Sequence, residues 1–192
     1  FYDFPEIPEI VNNIVLGWQL YSILRGERPG VIYQRHAPFQ CITGFIAYIL
    51  GIPFILESNG SEVWARKYWS KLYLTHLAYF FEYTAFKSAD LITTVSQVAT
   101  EDLIVKKIDA SKIILNPNGV NSEIFHPRVS GKAVREQYGI DNQITIGFIG
   151  TFYTFHGIRV LAEAVCCIAN DYPHLFFLFI GEGPLKSEVE QS

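Results

Sequence analysis

The chain has 192 residues, with 15 Lys and Arg against 19 Asp and Glu and a formal net charge of −4. That balance argues against a nucleic-acid binder, which needs a basic face to meet phosphates. Hydrophobic residues make up 49% and charged residues 18%, enough to bury the core of one large or two small domains.

Asn12 to Arg25 has a helical period, with Ile14, Val15, Trp18, Tyr21 and Leu24 on one side. Gly26 and Pro29-Gly30 break it. Val31–Tyr33 is predicted as a short strand, followed by the loop Gln34–Pro38. The run Phe39–Leu56 is almost wholly apolar and about long enough to span a bilayer. Gly51 and Pro53 interrupt it, so it divides into a helix over about 38–50, ended at Gly51, and a buried strand over about 54–57. Glu57-Ser-Asn-Gly-Ser61 is a turn-rich loop. Ser61 is placed to cap one long helix reaching about Phe86 and crowded with Trp64, Tyr68, Trp69, Tyr73, Tyr79, Phe80, Phe81, Tyr83 and Phe86. Arg66, Lys67 and Lys71 lie near its start. Such a helix is either a core element with a solvated basic edge or an interfacial face toward a membrane or a lipid-linked acceptor.

Leu91–Val95 is a strand, Ser96 caps a helix over Gln97–Lys107, and Lys112–Leu115 is a strand ending in Asn116-Pro-Asn-Gly-Val120. Residues 121–130, followed by Gly131, have no strong period and form the best domain boundary. A short helix over Lys132–Tyr138 precedes a strand beginning at Ile144. That strand ends at Gly150, a short aromatic loop follows, and a helix opens after Gly157. Leu175–Ile180 reads as a fully buried strand ended by Gly181-Glu-Gly-Pro184. Strands alternate with helices, and several are continuous apolar runs, the mark of parallel sheets covered on both faces. The polar, glycine-bearing loops fall at the carboxyl ends of strands, where such sheets bind ligands. The chain holds three cysteines. Cys41 and the adjacent Cys166 and Cys167 give neither a disulfide framework nor a metal spacing, which points to a reducing compartment. The adjacent pair is expected on the inner face of a helix. The chain holds no Met, begins with Phe1 and stops where a helix starts, so it reads as a fragment cut at both ends.

The stretch 144–164 carries the chemistry. A strand ending in glycine and feeding a helix lets the backbone approach a phosphate, with the first amides of the helix aimed at it. His156 can carry a proton and Arg159 is always charged, and cations there oppose the helix dipole unless an anion lies between. The plain alternative is a solvated Arg and a neutral His on an ordinary turn.

Four loops in order, Ala89–Ser96, Ile113–Asn121 with Phe125 and Pro127, Gly147–Thr151 with His156-Gly157, and Phe179–Pro184, together resemble family 4 glycosyltransferases. Leu56–Trp64 resembles a segment found in part of that family. The Asn116-Pro-Asn-Gly-Val-Asn121 stretch is the most specific, and the motifs cover about two-thirds of the chain. The resemblance implies an α/β fold of two Rossmann-like parallel-sheet domains facing across a cleft, the GT-B arrangement, both incomplete here. An acceptor-side domain is expected over 1–125 and the start of a nucleotide-sugar domain over 126–192. The implied reaction moves a sugar from a nucleotide donor to an acceptor hydroxyl, with retention and without a required metal or cofactor. The setting implied by analogy is cytoplasmic synthesis of cell-surface polysaccharide or glycolipid, with a glycan or lipid-linked acceptor and peripheral membrane contact.

By the same resemblance Gly150, Thr151, His156, Gly157 and Arg159 are expected at the donor phosphates, and Gly181, Glu182 and Gly183 at a turn beside the nucleobase. Glu57, Asn59 and His36 are the candidates for catalysis, each with a structural alternative as a capped turn or a loop histidine. The family usually has Arg and Lys where this chain has Thr151 and His156, so Arg159 is the candidate to replace that charge. The family's opening glycine-rich loop would precede Phe1 and its paired glutamates would follow Ser192, so the fragment alone is expected to be inactive. Two rivals stay open: a nucleotide-sugar epimerase of similar build, and a non-catalytic Rossmann-like binding module.

Overall fold

The computed structural model describes residues 6–191, which form two units, one ending at Gly119 and the other beginning at Val120. In the first unit, helix α1 (Glu6–Glu27) begins a turn and a half before the sequence period does. Pro8 lies in its first turn, where the missing N–H costs no intrahelical bond. Strand β1 (Ile32–Arg35), helix α2 (Ile42–Leu50) and strand β2 (Phe54–Ser58) follow. Gly51 ends α2 in the left-handed conformation, as expected from its place between two apolar runs. Strand β3 (Leu91–Thr94), helix α5 (Gln97–Val105) and strand β4 (Ile113–Leu115) complete the unit, after helices α3 (Glu62–Trp69) and α4 (Thr75–Ser88).

The strands run parallel in the order β1-β2-β3-β4, so each connection is a helical crossover to the next strand. The core lies on one face. Phe54, Leu56 and Ile92 of the strands pack with Ala47 of α2, Ala85 and Phe86 of α4, and Leu103 of α5. Alternation sends the intervening residues to the other face, where Tyr33 and Arg35 are exposed and Glu57 is half-buried. Only one face of this sheet is therefore covered among the described residues, short of the two-sided burial expected from the apolar runs.

The expected single helix from Ser61 to Phe86 is two. Ser70 turns extended after α3, and α4 restarts at Thr75. The buried Glu6 carboxylate of α1 accepts a 2.7 Å hydrogen bond from the Tyr73 amide, which ties the connector to α1 and breaks the helix. This tertiary bond has no local sequence signal. Ser61 and Ser96 cap α3 and α5 as expected, each hydroxyl accepting from the amide three residues on.

The second unit holds α6 (Lys132–Tyr138), β5 (Ile144–Ile149), α7 (Ile158–Ile168), β6 (Leu175–Ile180) and α8 (Lys186–Gln191). β5 and β6 pair in parallel over six residues. β6 is half-buried along its length with Ile180 exposed, and is not the fully buried strand its composition suggested. In a two-stranded sheet each strand is an edge, and one covering helix hides one side only. Cys166 and Cys167 are likewise exposed, not on an inner face: Ile158 and Ala162 are the buried residues of α7. Among the described residues no helix is long and apolar enough to cross a membrane.

Candidate functional site

In the first unit the three catalytic candidates divide between the two faces of the sheet. Glu57 lies on the open face, where the Tyr33 hydroxyl donates to its carboxylate at 2.6 Å. That bond raises the Tyr33 pKa above its ordinary value. Asn59 joins the same row. In the orientation its neighbours dictate, its amide donates to Glu57 at 3.3 Å and accepts from Arg35 Nε and Nη2, both at 3.0 Å. Tyr33, Arg35, Glu57 and Asn59 thus form one polar row at the carboxyl ends of β1 and β2.

His36 is elsewhere. It follows Arg35, so alternation turns it into the core, where its ring stacks on Phe86 at 4.9 Å between centroids. It is 95% buried by residue area, with 5% exposed, and neither ring nitrogen has a hydrogen-bond partner. Burial lowers its pKa; the Glu82 carboxylate opposes this and the Lys106 ammonium adds to it. A depressed histidine pKa means the unfolded chain binds more protons near pH 6 than the folded one. The stabilisation is present above the ordinary histidine value of about 6.5 and is lost as pH falls through the folded value. Unfolding measured from pH 7.5 down to 5 should show stability falling with acid in the native protein. The fall should be shallower in His36→Phe, and equal slopes would contradict the assignment.

A buried polar network lies beneath this edge that the sequence reading did not identify. The Glu82 carboxylate, 2% exposed in α4, accepts from Ser61 Oγ with both oxygens at 3.0 Å, and from Lys106 Nζ at 3.0 Å. Lys106 also pairs with Asp102 at 2.7 Å. Asp102 and Lys106 stand four apart on one helix face, a legible signal. Glu82 gave only the oddity of a carboxylate amid aromatics. Above the network Asn59, Gly60, Ser61, Trp64, Ser96 and Asp102 line a cavity of about 340 Å³.

In the second unit the loops after β5 and β6 continue the strand pairing past the sheet. Gly150 N donates to Ile180 O at 3.0 Å, Phe152 N to Glu182 O at 2.9 Å and Leu185 N to Phe152 O at 3.1 Å. Gly181 and Gly183 permit this. A Cβ on Gly181 would lie 1.8 Å from the Gly150 carbonyl oxygen, and one on Gly183 would lie 2.7 Å from Phe152 N and O. The geometry gives both glycines of the expected nucleotide-side turn a packing reason. The Gly150 amide donates to the Ile180 carbonyl. Glu182 pairs with Lys186 at 2.6 Å in solvent.

Thr151 and His156 are exposed, and the His156 ring lies 4.4 Å from Phe155 and 6.5 Å from Phe148 between centroids. Gly157 adopts φ 69°, a left-handed conformation that costs glycine nothing, and opens α7. The first helical bond runs from Leu161 N to Gly157 O, so the amides of residues 158–160 begin the helix without intrahelical partners. The Arg159 guanidinium does not lie open at that helix start: its Nε and Nη2 fork onto the Glu188 carboxylate at 2.5 and 2.8 Å. The same fork holds the Glu188 carboxyl below its ordinary range. Among the described residues no group of three or more His, Cys, Asp or Glu side chains gathers to hold a metal ion.

Comparison with solved structures places this architecture. HepE of Anabaena in complex with UDP superposes with a TM-score of 0.70 at 14% identity, over 92% of this chain and 46% of that one. A glycosyltransferase from Rickettsia africae gives 0.61 at 18% identity, over 95% and 47%. A UDP-GlcNAc 2-epimerase from Neisseria meningitidis bound to UDP-GlcNAc gives 0.54 at 14% identity, over 93% and 49%. The chain thus spans about half the length of these structures and shares their fold, two Rossmann-like parallel-sheet domains of GT-B type, both incomplete here. No protein of curated function matches the sequence. The model of Glycosyltransferase Family 4 matches residues 2–124, which span the whole four-stranded sheet and its polar edge. By that match the chain belongs to glycosyltransferase family 4.

Proposed function

We propose that the protein transfers a sugar from a nucleotide-sugar donor to an acceptor hydroxyl, with retention of anomeric configuration. The observation that carries this reading is the opening of α7 at Gly157, with unpartnered amides at residues 158–160 and His156 beside them, in a chain of this family. A diphosphate leaving group gains negative charge as the glycosidic bond breaks. Amides fixed at a helix N-terminus meet that charge without rearranging, and His156 adds a donor. Binding of UDP or UDP-sugars by solved relatives of the fold supports a nucleotide sugar as donor. We assign the donor to the second unit, over 126–192, with Gly150, Thr151, His156 and Gly157 forming its phosphate loop. The first unit, over 1–125, takes the acceptor, a glycan or a lipid-linked glycan, beside Glu57 and Asn59. The reading puts the protein in the cytoplasm, in synthesis of cell-surface polysaccharide or glycolipid.

Arg159 reaches the phosphates only by leaving Glu188. Glu188→Ala should therefore tighten UDP binding several-fold, and Arg159→Ala should weaken it. His156→Ala removes a hydrogen bond to an anion, worth about tenfold in affinity. Calorimetric titration of UDP into each variant of the full-length protein tests all three. The reaction itself is tested by incubating the full-length protein with a panel of nucleotide sugars. Nucleotide release that depends on an acceptor supports transfer. Conversion of the donor without an acceptor would instead support the epimerase reading, which the Neisseria structure keeps in view. A module that binds and does no chemistry would give neither.

A further inference from the structure

The cavity of about 340 Å³ past the carboxyl ends of β2 and β3 has two kinds of lining. Trp64, Val98 and Ala99 supply apolar surface, and Asn59, Ser96 and Asp102 supply polar atoms. Small-molecule pockets of about 300–1,000 Å³ combine apolar walls with a few fixed polar groups in this way. Neighbours hold the Trp64 ring: Tyr68 lies 5.0 Å away at a tilt of 43°, and Trp69 lies 5.1 Å away, edge-on at 86°. The residue is still 46% exposed, so ring surface is left for a ligand, and its prior fixing lowers the ordering cost of binding. The polar groups are fixed as well. Asp102 Oδ2 accepts from Lys106 Nζ at 2.7 Å, and Oδ1 has no hydrogen-bond partner among the described residues. Ser96 Oγ accepts from the Ala99 amide at 3.2 Å and keeps its own hydrogen to donate. Asn59 is held by Glu57 and Arg35, which ties the cavity to the polar row.

Charge decides what the cavity takes. The N-termini of α3 and α5 both open on it, and bare helix starts favour an anion. Here the chain answers them itself. Ser61 and Ser96 accept from the Trp64 and Ala99 amides, and the buried Glu82 carboxylate lies at the start of α3, 3.4 Å from the Val63 amide. Glu82 and Asp102 share the Lys106 ammonium, so two carboxylates against one ammonium leave a net negative charge. No Lys or Arg is among the residues lining the cavity. A phosphate would be repelled there, whereas an uncharged polyol would not. A pyranose carries C–H groups on a ring face and hydroxyls around its rim, which suits the electron-rich face of an indole flanked by fixed oxygens. We propose that this cavity seats one uncharged pyranose, the sugar end of the acceptor, stacked on Trp64, with one hydroxyl donating to Asp102 Oδ1 and another accepting from Ser96. The inference rests on assigning the acceptor to the first unit and narrows it: a lipid-linked acceptor enters by its sugar, with its phosphate outside the cavity.

Saturation-transfer NMR on the full-length protein tests this. The probes are the methyl glycosides of glucose, galactose, mannose and N-acetylglucosamine, each beside its 6-phosphate. At least one methyl glycoside should receive saturation, most strongly at the C–H protons of one ring face, and its 6-phosphate should bind more weakly. Trp64→Ala should weaken binding about tenfold, and Trp64→Phe should keep part of it. Asp102→Asn should weaken the methyl glycoside several-fold and narrow its lead over the 6-phosphate, a change of preference that a general loss of structure would not produce. Circular dichroism shows that each variant is folded, and calorimetry should show UDP affinity unchanged in Trp64→Ala. Saturation transfer that survives in Trp64→Ala, or a 6-phosphate that binds better than its methyl glycoside, would overturn the proposal. The two readings fail separately. A protein that binds UDP and releases nucleotide to an acceptor, yet takes none of the methyl glycosides, overturns the cavity and leaves the transferase reading standing. One that binds a methyl glycoside through Trp64 but no UDP supports the cavity and counts against the donor reading.

Discussion

Gly181→Ala should cost the second unit a large share of its stability, although position 181 touches no proposed ligand. The new Cβ would lie 1.8 Å from the Gly150 carbonyl oxygen and 2.9 Å from the Phe152 ring. A flexible side chain could yield; a backbone oxygen cannot without breaking the Gly150–Ile180 and Phe152–Glu182 bonds that continue the sheet. Overpacking of a close contact costs about 1–3 kcal/mol, and each lost backbone bond adds roughly 1 kcal/mol. The sum is on the order of 4 kcal/mol, against a total of about 4–10 kcal/mol for a unit of this size. Hydrogen exchange reads it by position: the Gly150 and Phe152 amides should be protected in the native chain and lose protection in Gly181→Ala. Gly131→Ala is the control, with nothing within 4 Å of the added methyl, and should stay within about 0.5 kcal/mol of native. If both variants exchange alike, the glycine is not a packing residue. If the fold survives but UDP binding is lost, the turn at Gly181 serves the nucleotide directly.

That pair of outcomes marks where sequence reasoning stopped. Strand–helix alternation, the caps at Ser61 and Ser96 and the turn at Gly157 were readable because each depends on neighbours within a few residues. The parallel pairing followed from apolar runs joined by helices. The break between α3 and α4 depends on Glu6, 67 residues from its partner Tyr73, and no local pattern encodes it. The reason for Gly181 is a backbone 31 residues away in sequence. His36 shows the same limit in a finer form. One residue of strand register decides whether it joins Arg35 and Glu57 on the open face or stacks on Phe86, and Val31–Tyr33 as the predicted strand left that register unset. For the site, Glu57 and Asn59 were legible as a strand-end pair, and the structure joins them directly, with Arg35 donating to Asn59. The commitment of Arg159 to Glu188 was not, because α8 returns to α7 only in three dimensions.

Glu82→Ala should be the most damaging single change in the first unit. Its carboxylate is buried and receives Ser61 Oγ, Lys106 Nζ and, more distantly at 3.4 Å, the Val63 amide. Breaking a buried ion pair by removing one partner costs about 3–5 kcal/mol. The lower end applies here, because Lys106 is 23% exposed and keeps Asp102. Urea unfolding followed on this unit should show a loss of about 3 kcal/mol, with Glu82→Gln losing less because it can still accept from Ser61. The paired change Glu82→Leu with Lys106→Met should recover much of the loss, since apolar groups of similar volume carry no desolvation cost. pH separates the charge from the packing. Burial pulls the Lys106 pKa down, but hydrogen bonds and charge from Asp102 and Glu82 outweigh it and leave the value raised. A raised lysine stabilises fully below its ordinary value near 10.4, and that contribution is lost as pH rises through the folded value. Native protein should therefore lose stability above about pH 10, and the Glu82→Leu, Lys106→Met protein should not lose this increment. Because Ser61 caps α3 and lines the cavity beside Asn59, the Glu82→Ala protein should also bind acceptor more weakly while its UDP affinity is unchanged. Native-like stability in Glu82→Ala would mean that the network is incidental to the fold, and the proposed acceptor edge would then need another support.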